Sequence, residues 1–278
     1  MPPAAPPAPR VRSTSSAGRS PQNCAMATVS ERSPDLVLLL ARRGYGSPRR
    51  LEALRAAVAA RLADETGFAG PVVLGFAELA VPSVSDALDM FADRGRIRVL
   101  VVDLIVPADM SLRGWLPGAL HDWANRRGVA LDIAFSDPVD GDPAFVSAVV
   151  SRITGGAAED VRQSPATDSR PSWNDPPDHA VHLFACDGPR CAHRGSGAVW
   201  AAMLAALEGA GLRGKTAERV MVTRTRCLYP CNRGPVATLH PGGFWYAVPD
   251  AEAARRIAVE HLKNGRPVAD LLFREGGR

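Results

Sequence analysis

Apolar and polar positions follow two rhythms over residues 35 to 153. Short apolar runs at Leu36 to Leu40 and Val72 to Phe76 have the length of buried parallel strands, and Ile97 to Ile105, broken only by Arg98 and Asp103, is the strongest strand signal in the chain. Between and after them the period lengthens. Leu51, Leu54, Val58 and Leu62 form one stripe of a helix predicted over Arg49 to Glu65. Ser83, with Asp86 three positions on, opens a second helix through Asp93 with a capping box. Further helices are predicted over Leu116 to Arg127 and Pro143 to Ile153, with a strand at Ala130 to Phe135 between them. Strand alternating with helix predicts an α/β unit whose parallel sheet is covered on both faces.

From residue 179 the order changes. A strand (Ala180 to Ala185) precedes a helix (Gly197 to Glu208) and another strand (Arg219 to Arg224). The runs Gly234 to Pro241 and Gly243 to Val248 then form a hairpin turning at Pro241-Gly242-Gly243, and a helix from Asp250 to Lys263 closes the unit. Four segments result: a tail over 1–34, an α/β domain over 35–153, a Pro-, Ser- and Asp-rich linker over 154–178, and a second domain over 179–278. Trp173 is expected to pin the linker to a domain surface.

Composition narrows the function classes. The 278 residues are 46% hydrophobic and 22% charged, as in a globular protein. No apolar run approaches the ~20 residues of a membrane-spanning helix. Arg10, Arg12, Arg19 and Arg32 against Glu31 place +3 of the formal +4 charge in the tail, so no nucleic-acid groove is indicated. The tail is too poor in apolar residues to order itself. It lacks an apolar signal core and a twin arginine, which predicts a cytoplasmic protein; Met26 is an alternative start, and Cys24 a bystander.

The other four cysteines carry the chemistry. Cys186 and Cys191 are separated by four residues, Cys227 and Cys231 by three, and 35 residues lie between the pairs. Three readings compete: a structural zinc site, although the first gap lies at the edge of the usual range; disulfides, disfavoured with so few cysteines and no secretory signal; and a [2Fe–2S] cluster, which two thiolate pairs on two loops suit best. His193 is a candidate hydrogen-bond donor to such a cluster, His182 a satisfied strand residue and His240 a turn residue. Arg190, Arg194, Arg224, Arg226 and Arg233 crowd the loops, where positive charge would raise a cluster's potential or dock an acidic partner.

Cys-x4-Cys-x35-Cys-x3-Cys, with its preceding strand and intervening helix and strand, resembles the thioredoxin-like [2Fe–2S] ferredoxins and the small [2Fe–2S] subunit of NADH:quinone oxidoreductases over about residues 179 to 273. The resemblance implies a [2Fe–2S] cluster on Cys186, Cys191, Cys227 and Cys231. It also implies one-electron transfer, with a redox protein or a larger oxidoreductase as partner.

The first half resembles the sirohydrochlorin chelatases in Leu38-Leu-Leu-Ala-Arg-Arg-Gly-Tyr-Gly-Ser47, in Gly75-Phe-Ala-Glu-Leu-Ala-Val-Pro-Ser83 and in the strand at 97–105. That family inserts cobalt or iron into a tetrapyrrole, and its short forms imply a homodimer through this domain. Two departures stand out. Tyr45 occupies the position of a family His before Gly46-Ser47, and Ser111, six residues before Pro117, that of a second. Metal insertion needs ion ligands and a base for two pyrrole protons, which neutral imidazole supplies near pH 7 and Tyr or Ser does not. Glu78 remains. The expectation is a chelatase-like fold that has lost its reaction and serves as a docking module; the alternative is a cobalt or iron chelatase of tetrapyrrole biosynthesis carrying an appended redox cluster. Gly44 to Ser47 lacks the phosphate-loop ending, and Asp103, Asp109, Asp137, Asp140 and Asp142 near strand ends are candidates for a hard-metal or substrate cluster.

Overall fold

A computed structural model of the chain describes residues 33–44, 47–155, 162, 174–214 and 219–275. Tyr45, Trp173, Cys24, residues 1–32 and most of the predicted linker lie outside the described residues.

The first sheet is fully parallel, in the order β2 (Val72–Phe76), β1 (Leu36–Ala41), β3 (Arg96–Asp103), β4 (Ala130–Phe135). All six residues of β1 are buried, as its unbroken apolar run requires for a central strand with both faces covered. On one face lies α1 (Ser47–Thr66), which brings Leu51, Val58 and Leu62 against Val37, Leu39 and Leu74. Leu54 departs from the predicted stripe and is 44% exposed. At 3.6 residues per turn it sits roughly 60° off the line through the other three.

The other face is covered by α2 (Val84–Asp89) and α3 (Met110–Arg127), which bury Ala87, Leu88, Leu116, Leu120 and Trp123. The capping box forms as expected, with Ser83 and Asp86 each accepting from the other's backbone N–H. The helix stops at Asp89, however, and a 3-10 turn (Ala92–Arg94) with Gly95 at φ 70° leads into β3. By contrast, α3 starts six residues before the predicted position. Asp109 caps it by accepting from Leu112 N–H at 2.9 Å, and the helix runs on through Pro117, which the sequence reading placed in the first turn. The last helix of this half, α4 (Pro143–Gly155), has no buried residue and exposes Val146, Val149, Val150 and Ile153.

The second sheet has the order β6 (Val220–Thr225), β5 (Val181–Cys186), β7 (Val236–His240), β8 (Phe244–Ala247), β9 (Leu272–Arg274). Only β5 and β6 are parallel; the rest pair antiparallel. Strand β9, three residues long, was not predicted. α6 (Ser196–Gly209) and α7 (Ala251–Arg256) cover the sheet, and α7 widens into a π turn over Ile257–Lys263. Leu183, Met203, Leu207, Leu239, Tyr246 and Ile257 form the second core, each at most 2% exposed. From Pro34 onward the chain forms one compact unit, and the contacts between its sheets matter for the site.

Candidate metal centre

Parallel pairing of β5 with β6 opposes Cys186 to Thr225, so the chain leaves both strands at the same end. From β5 it turns through Asp187 and Gly188 into α5 (Pro189–His193), whose middle residue is Cys191. From β6 it passes Cys227 and Tyr229 and enters a 3-10 turn beginning at Cys231. Cys186 and Cys191 are buried, Cys231 is half-buried and Cys227 exposed.

The thiols form two pairs. Cys227 Sγ and Cys231 Sγ lie 3.4 Å apart, far beyond the ~2.05 Å of a disulfide. Cys191 hydrogen-bonds to Cys186, which pulls the Cys186 thiol down to about 6, helped by the Gly188 and Leu228 N–H groups and opposed by burial. The Cys191 pKa is pushed up, by that hydrogen bond first and then by burial. Cys227 is also raised, by burial first. Leu228 N–H donates to Cys186 Sγ at 3.4 Å and Tyr229 N–H to Cys227 Sγ at 3.3 Å.

These features fit a thiolate cluster. Backbone N–H groups aimed at sulfur stabilise negative charge there. Glycines make the room: a Cβ at Gly234 would stand 2.6 Å from Cys191 Sγ, and one at Gly188 2.8 Å from the Cys227 nitrogen. Among the described residues no three His, Cys, Asp or Glu side chains converge on a single ion. Two pairs on facing loops suit two irons, each held by one pair.

The flanking residues do other work than expected. His193 turns away from the cysteines. Its Nδ1 lies 2.6 Å from Ser85 Oγ, and its ring meets Trp115 edge-on at 5.7 Å, both partners coming from the first half. Ser85 Oγ also lies within donating reach of the His193 carbonyl, at 3.2 Å, and burial lowers the pKa of this imidazole. The sequence reading missed this because no local pattern links residues 85 and 193. Nor are the arginines a uniform basic rim. Arg224 forms a buried ion pair with Asp187 at 2.6 Å, and Ser196 donates to the same carboxylate. Burial, the largest influence, raises the Asp187 pKa against both partners. Arg194 donates to the Cys231 carbonyl at 2.5 Å and so braces the second cysteine loop. His182 is satisfied by Thr223 Oγ1 at 2.7 Å, as expected, and His240 is exposed at the hairpin end.

Of the three chelatase-site positions, Glu78 and Ser111 are described. Tyr45 lies outside the described residues. Ser111 is exposed in the first turn of α3. Glu78 is 3% exposed, and its Oε1 lies 3.0 Å from Arg42 Nε and 3.1 Å from Arg226 Nε, without hydrogen-bond alignment to either. Arg226 belongs to the second half, next to Cys227. The candidate carboxylate is therefore an ionic bridge between the halves. Leu79 N–H adds a bond to the Asp187 carbonyl at 3.3 Å. The strand-end aspartates form no cluster: Asp103 pairs with Arg113, Asp109 with Arg42, and Asp140 accepts from Ala108 N–H.

Between the halves lies a cleft of about 710 Å³. Arg42, Asp109, Ser111 and Trp115 line it from the first half; Arg190, Cys227, Tyr229, Cys231 and Arg233 line it from the second.

A two-layer thioredoxin-like unit with four cysteines at one sheet end defines the second half as a thiolate-cluster type of domain. Its relatives agree. "Ferredoxin, 2Fe-2S" of Aquifex aeolicus is 32% identical over 103 residues, covering 34% of this chain and 90% of the relative. Through this half, the chain belongs to the thioredoxin-like 2Fe-2S ferredoxin family. The solved structure of a thioredoxin-like [2Fe-2S] ferredoxin from the same organism is 31% identical over 35% of this chain and 94% of that one, with a TM-score of 0.30. The first half matches the CbiX family model over residues 37–155. A solved CbiX protein from Marinobacter aquaeolei is 20% identical over 42% of this chain and 92% of its own length, with a TM-score of 0.32.

Proposed function

We propose that this protein carries single electrons through a [2Fe–2S] cluster ligated by Cys186, Cys191, Cys227 and Cys231. It would act as a ferredoxin or as the electron-transfer subunit of a larger oxidoreductase. The observation that carries this reading is the pairing of four thiols beneath backbone N–H donors, with glycine where any side chain would strike a sulfur. The cluster supplies a one-electron couple. The protein holds the thiolates, buries one pair, and leaves the other facing the cleft. The N-terminal half serves as the docking module for a redox partner. A homodimer through that half suits the exposed valines of α4, and the cytoplasm suits ligands that must stay reduced. No helix among the described residues is long and apolar enough to cross a membrane.

An anaerobic visible spectrum before and after dithionite, followed by EPR of the reduced sample, tests the reading. Thiolate-to-iron absorption that bleaches, with a rhombic S = 1/2 signal, is expected. A colourless protein holding stoichiometric zinc would overturn it.

The match over 37–155 keeps a second reading in view, a cobalt or iron chelatase with an appended cluster. Glu78, held between two guanidinium groups, is a poor ligand or base for that chemistry. Metal-insertion assays with sirohydrochlorin are expected to give no rate above the uncatalysed one.

A further inference from the structure

We propose that the cleft between the two halves binds a small conjugated anion that exchanges one electron with the cluster. This rests on the electron-transfer reading above and assigns the acceptor a place. Both outward-facing cysteines, Cys227 and Cys231, line the cleft, so a molecule seated there borders the iron that this pair would hold. The cleft lies within the ~300–1,000 Å³ range of small-molecule sites. A protein partner would meet concave walls there rather than an open face.

Charge and shape name the ligand class. Arg190 and Arg233 are exposed on the cleft and, among the described residues, neither meets a carboxylate. Arg42, in contrast, is committed to Glu78 and Asp109. Free of carboxylate partners among the described residues, with Arg233 lying over the Phe273 ring at 5.0 Å, the two guanidinium groups favour an anion with separated charges, and planar donors suit carboxylate, sulfonate or phosphate. Trp115, with Arg190 stacked 5.5 Å from its ring, supplies an aromatic wall.

Tyr229 supplies the other independent sign. It lies between the two outer cysteines, is 88% exposed, and holds φ at 89°, a region costly for a bulky side chain. Its ring gains no burial in return. Stacking on a flat ligand in the cleft would give it a partner.

The step transfers one electron and breaks no bond. The reduced cluster would lose one electron and return to its oxidised state, and the ligand would gain it, becoming a radical with one more negative charge. A one-electron protein donor reloads the cluster; dithionite serves in vitro.

Anthraquinone-2,6-disulfonate, a planar redox-active dianion, is the probe. Calorimetric titration of the oxidised holoprotein should give one saturable site, weakened at least tenfold in the R190Q/R233Q double variant and in Tyr229→Ala. Reoxidation of dithionite-reduced protein by the quinone should saturate with quinone concentration in the native protein and stay linear in the double variant. Visible spectra of the same samples separate the two claims. Loss of the cluster spectrum in the native protein counts against the electron-transfer reading. An intact cluster with no saturable heat, with unchanged affinity in the double variant, or with equal affinity for fumarate overturns the ligand site.

Discussion

Gly234 offers the sharpest test of the cysteine geometry. Its φ of −71° and ψ of 155° lie in the extended region open to any residue, so the effect argued for G234A is steric. The new methyl would stand 2.6 Å from Cys191 Sγ and 3.2 Å from the Cys231 carbonyl oxygen. Non-bonded heavy atoms settle at about 3.5–4.0 Å, so relief requires a shift of about 1 Å. Cys191 is 1% exposed and packed beside Val236, which leaves little room to retreat. Ligand distances at metal centres tolerate only about ±0.2 Å, so a shift of this size exceeds the tolerance several-fold. If the protein yields instead, overpacking costs about 1–3 kcal/mol. The assay is iron and acid-labile sulfide per chain, with the visible spectrum, for G234A beside the control G209A, whose Cβ would meet nothing within 4 Å. Cluster content should fall by more than half in G234A and stay full in G209A. Full iron, sulfide and an unaltered spectrum in G234A would refute the placement of Cys191 and the fit argued from it.

Three other perturbations read the surroundings. Asp187→Asn removes a buried negative charge beside Cys186 and leaves Arg224 unopposed, so the reduction potential, measured by EPR-monitored titration, should rise. Glu78→Gln sets Arg42 and Arg226 against each other across the two halves. Because Arg226 is 65% exposed, the loss should be well under the full cost of a broken buried pair, about 1–2 kcal/mol or roughly 2–8 °C in Tm by calorimetry. Asp35, hydrogen-bonded by Arg98, has a folded pKa of about 2 against an ordinary 3.8. A depressed carboxylate stabilises the fold above its unfolded pKa and loses that contribution as pH falls from about 4 to 2, so D35N should flatten acid unfolding in that window, with under ~1 kcal/mol at stake for a pair this exposed.

The sheets and the cysteine pairs were legible because their signals are local. An unbroken apolar run such as Leu36 to Leu40 reads as a buried strand whatever it packs against, and the cysteine spacing is a property of two loops. What the sequence hid lies between elements. Glu78 is 148 residues from Arg226, and no pattern in either segment announces the other; only the fold shows that a carboxylate suited to metal chemistry bridges two arginines. His193 was assigned to the cysteines because it is two residues from Cys191, yet α5 turns it toward Ser85. The start of α3 was missed because Pro117 looks like a first-turn residue, while the decisive cap is Asp109, eight residues earlier. Leu54 shows the opposite failure, a local period that extends past the width of the packed face.

The unequal burial of the cysteines also sets an order of chemical vulnerability among them. Cys186 and Cys191 are sealed inside the second half, whereas Cys227 and Cys231 face the cleft. The outer pair is therefore reached through the cleft mouth, whose far wall is the N-terminal half. Oxidants enter by the same route, so thiol damage should start at Cys227. The N-terminal half thereby forms part of the path by which reagents in solution reach the outer thiols.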